Sequence, residues 1–238
     1  AQCAFDIAFH DLLGLAAGLP LHRLLGGYRD RIQTSITISL GSVKETVELA
    51  RNRVRQGFRI LKIKGGLDPQ EDVRRVKAVH DALPNITLRL DADGGYTVQQ
   101  ALDVARALEG YLEMLEQPVP ANGGNTSATE ASKTKDLRRT NNDLQRSEDI
   151  HALRHVTEQS PVPILADQSV VGPSSALEIA GEHAAHGISI KLATCGGLRC
   201  ARQMDAIARA AHISTMVGCV HEPALLIAAE LAFALSSP

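Results

Sequence analysis

From residue 33 onward, short strand-like runs alternate with longer stretches of helical period. The short runs predict strands at Ser35–Leu40, Arg59–Lys64, Ile86–Asp91, Tyr111–Glu116, Val162–Asp167, Gly187–Lys191 and Ser214–Val217. Between them the pattern predicts helices over about 43–56, 69–83, 97–108, 174–183, 197–211 and 223–235. Before them, residues 1–27 read as helix, broken at Gly18 and Pro20 and ended by Gly26-Gly27. Strict strand–helix alternation argues for a parallel sheet.

Strand parity separates two such architectures. Ile36, Ile38 and Leu40 share one face of their run, and Ser35, Thr37 and Ser39 the other; Thr87 to Asp91 and Ile188 to Lys191 repeat the arrangement. A doubly wound sheet buries both faces and reads as continuous apolar runs. A barrel with helices outside and a polar mouth predicts the alternation. The barrel is therefore the favoured reading, with the doubly wound sheet as its alternative. The segment 121–147 fits neither: it is polar and reads as a flexible insertion, either a surface loop or an active-site lid.

Composition narrows the setting. A length of 238 residues and 44% hydrophobic content allow one barrel or two small domains. A formal net charge of −2 gives no footprint for nucleic acid, and no apolar run is long enough to span a membrane. The chain starts within a helix and without Met, the pattern of a fragment. Cys3, Cys195, Cys200 and Cys219 lack metal-ligand spacing and suit reduced, cytoplasmic thiols.

The chemistry lies at the strand ends. Lys62 and Lys64, Asp91, Glu116, Asp167 and Lys191 each close a predicted strand. Charge repeated at one end of a barrel is how such folds assemble a site. Lys62 and Lys64, two apart on a strand, share a face; mutual repulsion would lower one pKa toward that of a general base, unless both are simply solvated. Asp91, Glu116 and Asp167 offer three hard oxygen ligands suited to Mg2+, although each alone could be a helix cap or surface acid. Lys191, from a more distant strand, offers a second base or a structural ion pair. With bases on two sides of a carboxylate substrate, a proton can leave one face and return to the other. His221 follows the last strand at the same end, where it can touch substrate. Gly196-Gly197 reads as a tight turn or an anion-binding helix start.

These motifs resemble the enolase superfamily, in its muconate lactonizing and mandelate racemase-like branch. The matching segments are Leu61-Lys62-Ile63-Lys64, Leu90-Asp91-Ala92-Asp93-Gly94-Gly95-Tyr96, Glu116-Gln117-Pro118-Val119, Ile164-Leu165-Ala166-Asp167, Ile190-Lys191-Leu192 with Cys195-Gly196-Gly197-Leu198, and Met216-Val217-Gly218-Cys219. Ser35-Ile36-Thr37-Ile38 and Gly218-Cys219 with Glu222 are most similar to dipeptide epimerases of the L-Ala-D/L-Glu type. The resemblance implies a TIM-type (β/α)7β barrel over residues 31–238 that lacks its last strand. Residues 1–30 would be the C-terminal remnant of an N-terminal capping domain.

The resemblance also implies a Mg2+-dependent epimerase or racemase acting by 1,1-proton transfer next to a substrate carboxylate, with a dipeptide as substrate. Lys64 and Lys191 would be the acid/base pair and Lys62 their electrostatic partner. Asp91, Glu116 and Asp167 would hold Mg2+, and Thr37, Cys219 and His221 would contact substrate. A homo-oligomer in the cytoplasm, with neither nucleic acid nor membrane as partner, is the expected setting. Cycloisomerisation or dehydration on the same site is the alternative reaction, a silent truncated fragment the alternative of another class, and a Schiff-base aldolase a third. Asp93 and Gln168 depart from the family's usual Asn and Glu.

Overall fold

The computed structural model describes residues 1–121 and 138–238, and the side chains of residues 138–147 lie outside that description. In chain order the elements are α1 (Gln2–Ala17), α2 (Leu21–Leu24), β1 (Ser35–Ile38), α3 (Val43–Arg55), β2 (Ile60–Lys64), α4 (Pro69–Ala82), β3 (Thr87–Asp91), α5 (Val98–Ala107) and β4 (Met114–Glu116). They continue with α6 (Arg138–Gln159), β5 (Ile164–Ala166), α7 (Pro173–Glu182), β6 (Gly187–Ile190), α8 (Leu192–Cys195), α9 (Leu198–Ala210), β7 (Ser214–Val217) and α10 (Ala224–Ser236). The chain forms two compact units, one of residues 34–169 and 182–186, the other of residues 1–33, 170–181 and 187–238.

In the first unit β1 to β5 pair in sequence order, all parallel. Register turns the sequence alternation into rows. Ile38, Ile63, Leu90, Leu115 and Ile164 are successive partners across the five strands. Each is at most 1% exposed. Burying such a side chain contributes about 1.5–3 kcal/mol, so this row fixes the register. The next row, on the opposite face, pairs Lys64 with Asp91 and Asp91 with Glu116.

Local signals set the helices. Ser42 and Glu45 form a capping box at the start of α3, and Thr97 and Gln100 do the same for α5. Asp68 caps α4 ahead of Pro69. Gly66, with φ +97°, joins β2 to α4; a Cβ there would lie 2.0 Å from the Ala92 carbonyl oxygen, so only glycine lets the two loops touch.

In the second unit β6 and β7 pair in parallel. The Asp6 carboxylate accepts from the Leu198 and Arg199 N–H groups at 2.6 and 3.3 Å, tying α1 to the start of α9. The helix start at Gly196-Gly197 is thus filled by the chain's own carboxylate, and the anion-site reading gives way to that of a turn. Gly18 ends α1 as its sequence suggests. Phe5, Phe9, Leu12, Leu13 and Leu15 on α1 are exposed, whereas Ile7 is buried. Among the described residues no helix is long and apolar enough to cross a membrane.

Several boundaries differ from the sequence reading. The expected polar insertion at 121–147 is helical from Arg138, where α6 begins; residues 122–137 lie outside the described residues. The turn that seats α6 is anchored downstream by Ile150, Leu153 and Val156, spaced by three and all buried. β5 stops before Asp167, whose N–H turns to the Gln117 side chain. β6 stops before Lys191, whose carbonyl accepts from Thr194 and Cys195 and so starts α8.

Candidate functional site

The charged row in the first unit forms one ionic network. Lys62 and Lys64 stand two apart on β2 and so share a face. The Lys62 ammonium lies 2.9 Å from Asp91 Oδ2 and donates to both Glu116 oxygens at 3.1 and 3.2 Å. The Lys64 ammonium lies 2.9 Å from Asp91 Oδ2 and 2.6 Å from Asp93 Oδ2. Gln168 donates to the other Asp93 oxygen at 2.9 Å, bridging the loops after β3 and β5. Asp91, Glu116 and Asp167 are 1%, 0% and 4% exposed.

Burial and charge set the protonation. Burial pushes the Glu116 carboxyl up to about 7; Lys62 opposes the shift, and the charges of Asp91 and Asp167 add to it. Asp91 is also buried, but its contacts with Lys62 and Lys64 hold it below the usual carboxylate range. Burial alone would lower Lys62, yet Glu116 and Asp91 raise it above the ordinary lysine value. Lys64 is raised in the same way, against burial, by Asp93 and Asp91. The expectation of a lysine pKa lowered by its neighbour is therefore corrected: each ammonium faces carboxylates, and their attraction exceeds the effect of burial.

Thr37, exposed on β1, pairs in register with Lys62 and so lies beside it on the same face. Arg89, next in that row, donates to Glu113 at 2.5 Å. Asp93 and Gln117 both take left-handed backbone conformations, with φ of +48° and +34°. A non-glycine residue held there costs about 1–3 kcal/mol and persists where its surroundings fix it.

Sequence reading missed three groups around this network. Gln117 is wholly buried and joins the loops after β4 and β5. Asp72 on α4 accepts from the Gly66 N–H at 2.8 Å, from the Tyr96 hydroxyl and from Arg75. Asp93 and Gln168 were visible only as departures from a motif, not as a bonded pair. Off-strand residues whose roles depend on loop turns leave no periodic signal.

The second unit holds Lys191, Cys219 and His221. Lys191 is the N-cap residue of α8, directly after β6. Gly218, directly after β7, admits its stem: a Cβ at Gly218 would lie 2.5 Å from Ser189 Oγ and 3.1 Å from Lys191 Cε. Cys219 and His221 are exposed on the following turn, and His221 has φ +56°. Burial, then the charge of Glu222, pushes the Glu230 carboxyl up to about 7, against the Leu192 N–H and Lys191. Glu230 is the one charged residue of the apolar α10, a signal the sequence carried.

Three buried carboxylates, two of which push the third toward its protonated form, offer hard-oxygen donors of the kind that suits a divalent cation. Among the described residues no three such groups already converge at metal-holding distance; Lys62 and Lys64 pair with Asp91, and Lys62 with Glu116.

Comparison with known proteins follows the same line. Residues 45–135 and 144–238 match the model of the family described as enolase C-terminal domain-like. The hydrophobic dipeptide epimerase of Enterococcus faecalis is 35% identical over 224 residues, covering 93% of this chain and 56% of its own length. The L-Ala-D/L-Glu epimerase of Bacillus subtilis is 33% identical, covering 99% of this chain and 59% of its own. This chain thus spans less than two thirds of the length of these relatives. The crystal structure of the Enterococcus faecalis dipeptide epimerase complexed with Mg and the dipeptide L-Leu-L-Tyr superposes with a TM-score of 0.86 at 33% identity, over 99% of this chain and 60% of that one. The chain belongs to the enolase C-terminal domain-like family.

Proposed function

We propose that this chain is the greater part of a Mg2+-dependent dipeptide epimerase that moves a proton at the carbon next to a substrate carboxylate. The observation that carries the reading is the row Lys64, Asp91, Glu116 with Lys62 beside it: two buried acids paired with two half-buried lysines. Such a row is costly to bury unless its charges are used or matched. The similarity to dipeptide epimerases, one of them with Mg and a dipeptide bound, supports substrate and cation together.

Asp91, Glu116 and Asp167 would hold the cation. When bound, Mg2+ supplies positive charge that offsets the negative charge a substrate carboxylate gains as its neighbouring carbon loses a proton. With Asp91 so engaged, the attraction that keeps the proton on Lys64 would weaken. Lys64 and Lys191 are the acid/base residues: one removes the α-proton, and the other returns a proton to the opposite face of the planar carbanion. Lys62, half-buried between Asp91 and Glu116, would place positive charge beside Lys64 and so favour its neutral form. Thr37, Cys219 and His221 contact substrate.

The same reading gives the chain an enolase-type barrel over residues 31–238, with residues 1–30 leading in from a capping domain. Exposed apolar residues along α1 suit association into a homo-oligomer. Free cysteines suit a cytoplasmic setting.

Polarimetry of L-Ala-L-Glu tests the reaction. The chain with Mg2+ is expected to convert it toward the epimeric mixture, EDTA to stop the change and added Mg2+ to restore it. Turnover that persists in EDTA would overturn the metal role.

A further inference from the structure

We propose that Gln117 is the residue that positions the three acids for the cation, a role that rests on the metal reading above. Asp91, Glu116 and Asp167 come from three places: the end of β3, the end of β4 and the loop after β5. Gln117 directly follows Glu116 and hydrogen-bonds the segments that carry the other two. Its carbonyl accepts from the Gly94 N–H at 2.8 Å, holding the loop that follows Asp91. Its N–H donates to the Leu165 carbonyl at 2.8 Å, extending the ladder between β4 and β5 by one bond. Its side-chain oxygen accepts from the N–H groups of Asp167 and Ser169 at 2.9 and 3.2 Å. Its side-chain nitrogen donates to the Val119 carbonyl at 2.8 Å and to Ser169 Oγ at 2.9 Å.

The amide is specified by this arrangement. One end must accept from two N–H groups and the other must donate to a carbonyl, which only a carboxamide does in that space. A glutamate could not donate to Val119, and a methionine of similar shape could do neither. The left-handed backbone at Gln117 also breaks the strand alternation. Glu116 can then face Lys62 and Asp91 while the next side chain turns to the loops that flank Asp167. Gln117 is 0% exposed and touches neither substrate nor cation in this scheme, so it acts through the carboxylates. Groups that orient metal ligands from behind change metal affinity by about 10- to 100-fold when lost.

Calorimetric titration of Mg2+ into the full 238-residue chain, with thermal melts in EDTA, tests this. Gln117→Met is expected to weaken Mg2+ binding about tenfold or more. Ser169→Ala, which removes one bond to the amide, is expected to weaken it at least about threefold. Leu153→Ala, in the buried face of α6, is expected to lower the melting temperature and leave the affinity unchanged. The role is overturned if folded Gln117→Met binds Mg2+ within about twofold of the parent, or if Leu153→Ala weakens binding as much as Gln117→Met does. If Gln117→Met does not fold, Ser169→Ala decides, and a loss smaller than about threefold overturns the role. Failure of the parent to bind Mg2+, or parental binding by Asp167→Asn, overturns the metal reading itself.

Discussion

Glu116 bears the electrostatic cost of the row, and that cost is measurable. Its folded-state carboxyl is pushed from 4.5 to about 7, so the folded chain holds a proton that the unfolded chain has released. Without Mg2+, its contribution to stability is present below about pH 4.5 and lost as pH rises through about 7. Glu230 has a similar profile, so the comparison must be with a single substitution. Denaturant unfolding at steps from pH 5 to 8 should show a shallower fall for Glu116→Gln than for the parent, and identical slopes would contradict the assignment. Gly218 makes a second prediction. A methyl there meets Ser189 Oγ and the Lys191 stem, so Gly218→Ala should lose about 1–3 kcal/mol in denaturant unfolding. A change below about 0.5 kcal/mol would mean that Lys191 is not so confined.

Among the elements, the loops after β2 and β3 lock together through Asp72. The Tyr96 hydroxyl and the Gly66 N–H meet on one of its oxygens and Arg75 on the other, with the Asp72, Tyr96 and Arg75 side chains buried. Tyr96→Phe leaves that carboxylate short of a donor and should cost about 1–3 kcal/mol. Thermal melting should fall by several degrees, at about 2–4 °C per kcal/mol for a chain of this size; an unchanged melt would contradict the lock. Such features also mark where sequence reading stops. The lysines and acids were legible because each lies at or near the end of a short strand-like run, and register then sets Lys64, Asp91 and Glu116 side by side. Gln117, Asp72 and the Asp93–Gln168 bridge were not, because left-handed turns and tertiary contacts place them. The start of α6 was hidden by its polar composition, since its buried anchors begin only near Ile150.

At the scale of the molecule, five parallel strands carry the acidic row and two lysines in one unit, while Lys191, Cys219 and His221 follow β6 and β7 in the other. Family membership and the similarity to dipeptide epimerases give these residues a common chemistry to be tested. The central claim is that Lys64 and Lys191 exchange the α-proton of a dipeptide. The most direct measurement is proton NMR of L-Ala-L-Glu in D2O with Mg2+, following loss of the α-proton signal of the epimerised residue. The parent chain should exchange that proton for deuterium, and Lys64→Ala and Lys191→Ala should each slow exchange about 100-fold or more. Exchange at the parental rate in either variant would contradict the two-lysine account.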